Sequence, residues 1–214
     1  MKKLTIIIIF SGLIFTSFGQ PERKFQIWNK NEIAINPWEK ITIEVAEKIH
    51  YSPDKNTADV KYGELYLSHG PLKWFEYGAG FRATYKNTYP GWLTEYRPMI
   101  LANFKKSCKE FNFKYSNRLE YRIFELDVNH FRYRQEFLVE FPALTKWGMR
   151  FYSSEESFFK LDGRGFHLAR FYEGLSVIQK EHFKIKMYYA LEKMKLIENW
   201  ETTDIAGLNL SFIL

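Results

Sequence analysis

Apolar and polar residues alternate with a period of two along most of this chain, and arginine and glutamate fill much of the polar half. In one run Phe75, Tyr77, Ala79, Phe81, Ala83 and Tyr85 share a face, while Glu76, Gly78, Gly80, Arg82 and Thr84 share the other. Side chains of a strand point to opposite faces in turn, whereas a helix repeats near 3.6 residues, so this pattern specifies strand. Strand candidates fall at roughly 25–35, 40–51, 60–68, 73–85, 91–105, 110–123, 130–141, 147–159, 166–177, 183–193 and 205–214. Turn signals separate them, among them Asn36-Pro37, Ser52-Pro53-Asp54, His69-Gly70-Pro71, Tyr89-Pro90-Gly91 and Asp162-Gly163.

The first residues have the form of a secretory leader. Lys2 and Lys3 precede an apolar run from Leu4 to Phe18, with the small residues Ser17 and Gly19 at its end. Cleavage after Gly19 would leave residues 20–214 as one domain and lower the formal charge from +6 to +4, since Lys2 and Lys3 go and no acid does. That excess is no argument for a nucleic-acid partner in an exported chain. The only cysteine, Cys108, has no internal disulfide partner. Mean hydropathy is −0.36 and no second long apolar run exists, so a membrane could be crossed only by strands.

Alternation does not say which face is wet. About sixty large apolar side chains would have to fit inside a soluble barrel of this size, whose interior only just holds ordinary side chains. The aromatic face is therefore expected outside. A soluble exported two-sheet sandwich could still bury it, but many candidate strands reach ten residues or more, where globular strands usually have five or six and tilted membrane strands about nine to eleven.

Charge placement points the same way. Of ten arginines, eight (Arg82, Arg97, Arg118, Arg122, Arg132, Arg134, Arg150, Arg170) lie in strands on the polar parity, as do Glu44, Glu76, Glu95, Glu120, Glu136, Glu140, Glu156 and Glu192. Many lysines sit instead at turns or strand ends. A guanidinium at the lipid midplane costs about 2–4 kcal/mol, whereas in a packed interior it can bridge carboxylates by forked hydrogen bonds. The expected fold is all-β, an antiparallel up-and-down transmembrane β-barrel of about 10 to 12 strands in a Gram-negative outer membrane, with these sixteen charges forming a lumen network. Eleven candidates sit awkwardly with the usual even count, so the weakly alternating first segment is expected outside the barrel, or two strands are fused. Gly78 and Gly80 are expected to make room for arginines from neighbouring strands. Trp38, Trp74, Trp92 and Trp147 are expected in interfacial girdles.

Tyr77-Gly78-Ala79-Gly80-Phe81-Arg82, Glu95-Tyr96-Arg97-Pro98, Arg118-Leu119-Glu120-Tyr121-Arg122, Phe131-Arg132-Tyr133-Arg134 and Arg170-Phe171-Tyr172-Glu173-Gly174-Leu175 follow one another in an order and spacing that resemble the domain of unknown function 2490, a family of uncharacterised bacterial outer-membrane barrels. The resemblance spans most of the chain and departs at Met99 and at Met187-Tyr188, where an aromatic and a glycine-tyrosine pair are expected. It implies a barrel of unknown activity and no catalytic residue.

Function is open among three classes. The first is a non-enzymatic narrow channel or structural or assembly component, with a lumen plugged by balanced charge and made slightly anion-favouring by Lys48, Lys114, Lys184 and Lys186. The second is a hydrolase of outer-membrane lipid, for which His167 with Ser153, Ser154 or Ser176 and Glu156 is the available set. The third binds or exports an apolar ligand laterally, with Pro98 marking a weak point in the ladder. His50, His69, His130, His167 and His182 lack ligand spacing, so neither metal nor cofactor is expected. Gly163-Arg164-Gly165 reads as a turn. Expected partners are outer-membrane lipid and, through the alternating C-terminal Leu208–Leu214, the barrel-insertion machinery.

Overall fold

The structure is a computed structural model describing residues 23–89, 91–180, 182–196 and 199–214; the expected leader at 1–19 lies outside the described residues, as does Pro90 of one turn signal. Each alternating segment forms one strand: β1 Lys24–Trp38, β2 Ile41–Ser52, β3 Thr57–Leu72, β4 Phe75–Thr88, β5 Gly91–Cys108, β6 Phe111–Phe124, β7 His130–Glu140, β8 Arg150–Lys160, β9 Gly165–Gln179, β10 Phe183–Lys195 and β11 Trp200–Ile213. They pair with their sequence neighbours and close into a barrel, not into stacked sheets. The strands run from 11 to 18 residues. At about 3.3 Å per residue and a tilt near 40°, a 14-residue strand rises roughly 35 Å.

The first segment is inside the barrel, contrary to the expectation that it lies outside or that strands are fused. Eleven is the true count, and an odd up-and-down barrel must close with its first and last strands parallel. β1 runs beside β11 in parallel from Lys24↔Thr203 to Ala34↔Ile213, while all other neighbouring strands are antiparallel. Its alternation looks weak because Asn29 and Asn31 stand on the outer parity, yet Trp28, Lys30 and Glu32 turn inward as the pattern requires. The connections β2–β3, β4–β5, β6–β7, β8–β9 and β10–β11 share the rim where β1 begins, here the first rim. The other connections share the second rim, where β11 ends.

The outer face is largely hydrocarbon and rings: Ile33, Val45, Leu65, Leu67, Tyr77, Phe81, Tyr96, Ile100, Phe131, Phe137, Phe171 and Met187 are all exposed there. Five tryptophans, Trp38, Trp74, Trp92, Trp147 and Trp200, stand exposed near one rim or the other, whereas Trp28 is 1 % exposed inside. Not every polar residue turns inward. The run Ser153–Ser157 is polar on both parities, so once Glu156 and Phe158 face the lumen, Ser153, Glu155 and Ser157 must face out. These outward groups are hydrogen-bonded to one another. Ser153 Oγ donates to Glu173 at 2.9 Å and Ser157 Oγ to Glu155 at 2.5 Å, while Asn31 donates to Glu47 at 2.9 Å.

Pro98 faces out and interrupts the β5–β6 ladder. Pairing runs from Glu95↔Phe124 and Tyr96↔Ile123 to Met99↔Glu120 without a change of register, skipping Arg97 and Pro98. A proline has no N–H to give to that ladder.

Candidate functional site: a half-filled lumen

The inward parity of all eleven strands converges on one interior, and its two halves differ. Toward the first rim it is filled by large side chains. Trp28, Ala190 and Ile205 form a buried cluster that continues toward the middle of the barrel through Tyr188 and Tyr152, whose other sides line the cavity described below. Trp28 stacks on His50 with centroids 3.9 Å apart, and the Lys48 ammonium lies 3.9 Å from the Trp28 ring centre. Phe158, 1 % exposed, has the guanidiniums of Arg132, Arg170 and Arg134 at 4.9, 5.0 and 5.6 Å from its ring. Cations over ring faces gain from the ring quadrupole, most where water is excluded, so these residues act as a mixed aromatic and cationic plug.

Around the plug, carboxylates are shared between arginines. Glu95 accepts from Arg122 at 2.6 and 2.9 Å and from Arg97 Nη2 at 2.8 Å. Glu120 is fully buried and accepts from Arg132 at 2.9 and 2.5 Å, with Arg118 3.7 Å from its other oxygen. Glu156 joins Arg134, Arg170 at 3.3 Å and the Tyr172 hydroxyl at 3.2 Å, and Arg170 also reaches Glu192 at 2.5 Å. Glu64 accepts from Arg82 and from the Tyr66 hydroxyl. A planar donor fork satisfies two acceptors at once, which is what a desolvated carboxylate needs.

Toward the second rim the partners change to lysine and the interior opens. Lys30 binds Glu32 at 2.5 Å and Glu44 at 3.4 Å, Lys105 binds Glu76 at 2.6 Å, and Lys186 binds Glu140 at 3.4 Å. Here lies a cavity of about 380 Å³ whose wall includes Lys30, Glu44, Glu64, Arg118, Glu136 and Tyr172. It adjoins a vestibule of about 470 Å³ at the second rim, with Lys114, Leu138 and Lys186 common to both walls. Arg82, Arg118 and Arg134 form the inner end of the same wall, and the compact, strongly hydrated ammonium groups take its outer, wetter end.

The sixteen charges read from sequence all come from inward positions, but they do not form one arginine–glutamate lattice. Glu44, Glu76 and Glu140 have lysine partners, and Arg134 lies 3.7 Å from Glu136. Arg150 donates to the backbone carbonyls of Glu110 and Phe141, both at 3.1 Å, and so anchors the second rim. Glu32, Glu64, Lys30 and Trp28 belong to the lumen and were not selected from the sequence, although each shares the parity of an inward neighbour.

Neither Gly78 nor Gly80 makes room for an arginine as expected: a Cβ on Gly78 would meet the Leu67 carbonyl and Ser68, and the other close-packed glycines hold rings. A Cβ on Gly80 would collide with the Tyr66 ring of the facing position, and one on Gly174 would sit 2.6 Å from Tyr152 Cζ; Gly207 lies under Tyr188 in the same way. The reason is range. A directly opposite tyrosine lies flat across the missing side chain, while the arginines reach past it to carboxylates.

The hydrolase set is not assembled. His167 Nδ1 is bonded to the Phe158 carbonyl at 3.1 Å near the first rim, Ser153 faces outward, Ser154 faces the lumen, and Ser176 lies in the vestibule wall at the opposite end. Glu156 is committed to Arg134 and Arg170. Among the described residues no cluster of three or more His, Cys, Asp or Glu is placed to hold a metal.

The sequence model of a family described as protein of unknown function, DUF2490, matches residues 25–203. No curated protein and no solved structure matches the chain.

Proposed function

The chain belongs to the DUF2490 family of proteins of unknown function, and we propose that it is a bacterial outer-membrane barrel that is blind: plugged toward the first rim, open as a charged cup toward the second, and structural or ligand-holding instead of conducting or enzymatic. The observation that carries this reading is the fully buried Glu120 between Arg132 and Arg118, beside the Phe158 plug. Such a layer leaves no continuous water path, and moving one of its charges would expose the other unpaired. The closed sheet, the apolar outer belt and tryptophans near both rims support placement in lipid. The outward carboxylates on β2 and β8–β9 are tolerable because acids cost less than arginine at the lipid face and each has a hydrogen-bonding neighbour.

Planar lipid bilayers test the blind lumen. The protein is expected to insert without a steady open-pore current, and a large, sustained, cation-selective conductance overturns the reading. Recovery of the exported chain in detergent-free periplasmic extract overturns the membrane placement.

A further inference from the structure

We propose that the vestibule at the second rim is a binding site for a phosphate-bearing anion, either a free phosphate or a lipid headgroup. Its wall brings together Lys73, Lys105, Lys106, Lys114, Lys184 and Lys186 around about 470 Å³. The wall carries the carboxylate of Glu140, which Lys186 holds at 3.4 Å, and Lys105 is taken by Glu76 at 2.6 Å. Among the described residues Lys73, Lys106, Lys114 and Lys184 have no carboxylate partner within ion-pair distance. Lys48, deeper in the lumen, also lacks a carboxylate but lies over the Trp28 ring, whereas these four lysines share one open wall.

A second, independent observation marks the same place. Ser176 also lines the vestibule, is 1 % exposed, and its hydroxyl has no hydrogen-bond partner. A buried hydroxyl left unpaired costs free energy, which a ligand oxygen accepting from it would recover. The ladder shifts register between Ile185 and Lys186, so that Lys186 pairs with Ser176 and both side chains point at the vestibule. Bulges commonly re-aim side chains next to sites.

Phosphate fits this chemistry better than a carboxylate does. It offers several acceptor oxygens and more than one charge to lysines, which act as point charges from several directions. The vestibule also lies at a rim bearing Trp74 and Trp147, within reach of headgroups if the barrel sits in lipid. The inference rests on the barrel and this wall, so it stands or falls separately from the conductance of the lumen.

The test uses the whole barrel. In detergent micelles, calorimetry with inorganic pyrophosphate probes the free anion, and nanodiscs of phosphatidylcholine with or without phosphatidic acid probe the headgroup through the melting midpoint. Saturable pyrophosphate binding, or a phosphatidic-acid-specific rise in melting temperature, is expected, and the responsive arm names the source. Lys114→Gln/Lys184→Gln should weaken the response about tenfold. Ser176→Ala, which keeps every charge, should weaken it about threefold, whereas Lys55→Gln at the first rim should leave it unchanged. Absence of response in both arms, or an equal loss with Lys55→Gln, overturns the proposal. If the double variant does not fold, the Ser176→Ala comparison decides alone, with unchanged binding counting against the site.

Discussion

Replacing Arg132 by methionine should unfold this barrel more readily than replacing Arg132 and Glu120 together. Glu120 has no exposed surface, and Arg132 supplies it with two hydrogen bonds; without them only Arg118 remains, at 3.7 Å. An uncompensated buried charge of this kind costs about 3–5 kcal/mol, a factor of roughly 10² to 10⁴ in the folding equilibrium. A methionine at 132 would land beside Phe158, and one at 120 beside Met99, its cross-strand partner. In the Arg132→Met/Glu120→Met chain the cavity is therefore filled by apolar groups, and the net change should stay within about 2 kcal/mol of wild type. Urea unfolding in detergent, followed by tryptophan fluorescence, measures all four corners of the cycle. With a slope of about 2 kcal/mol/M the single variant loses roughly 2 M in midpoint. The argument is refuted if Arg132→Met costs under about 1 kcal/mol, or if the double variant costs the sum of the two singles.

Gly174→Val should destabilise by about 1–3 kcal/mol in the same assay, because the new side chain meets the Tyr152 ring and the Met187 carbonyl; pairing it with Tyr152→Ala should recover part of that. In bilayers containing brominated lipid, emission from the five outward tryptophans should be quenched while that of Trp28 persists, and Trp28→Phe should remove the persistent fraction; uniform quenching would contradict its place inside. In the β8–β9 turn the Arg164 guanidinium holds the Asp162 carboxyl below the usual carboxylate range. A carboxyl lowered in the folded state adds stability above its unfolded value near pH 4 and loses it as pH falls through the folded one, so Arg164→Ala should raise the Asp162 titration midpoint seen by NMR.

What the sequence made legible was parity. Phe81 outward and Arg82 inward follow from period two and from the cost of a guanidinium in lipid, and the number of alternating segments matched the number of strands. Parity does not say how deep a residue lies, and so it could not separate Arg132, which serves the dry plug, from Arg150, which ties down a rim. Nor does it say which neighbour fills a gap: Gly80 announced an absence, and only the β3–β4 register places Tyr66 over it. In β8 both parities are polar, so the lumen-facing set there is chosen by Phe158 and by partners on other strands, which no local window contains. Lys30 and Glu32 escaped because β1 has Asn29 and Asn31 between its lumen residues, and their role depends on pairing with Glu44 and on a strand far away in sequence.

Because β1 and β11 travel in the same direction, the chain runs from rim to rim an odd number of times. Lys24 and Ile213 therefore stand at opposite rims, so with the barrel placed in a membrane as proposed above, epitopes fused at the two ends of the barrel should be reachable by antibody from opposite faces of that membrane.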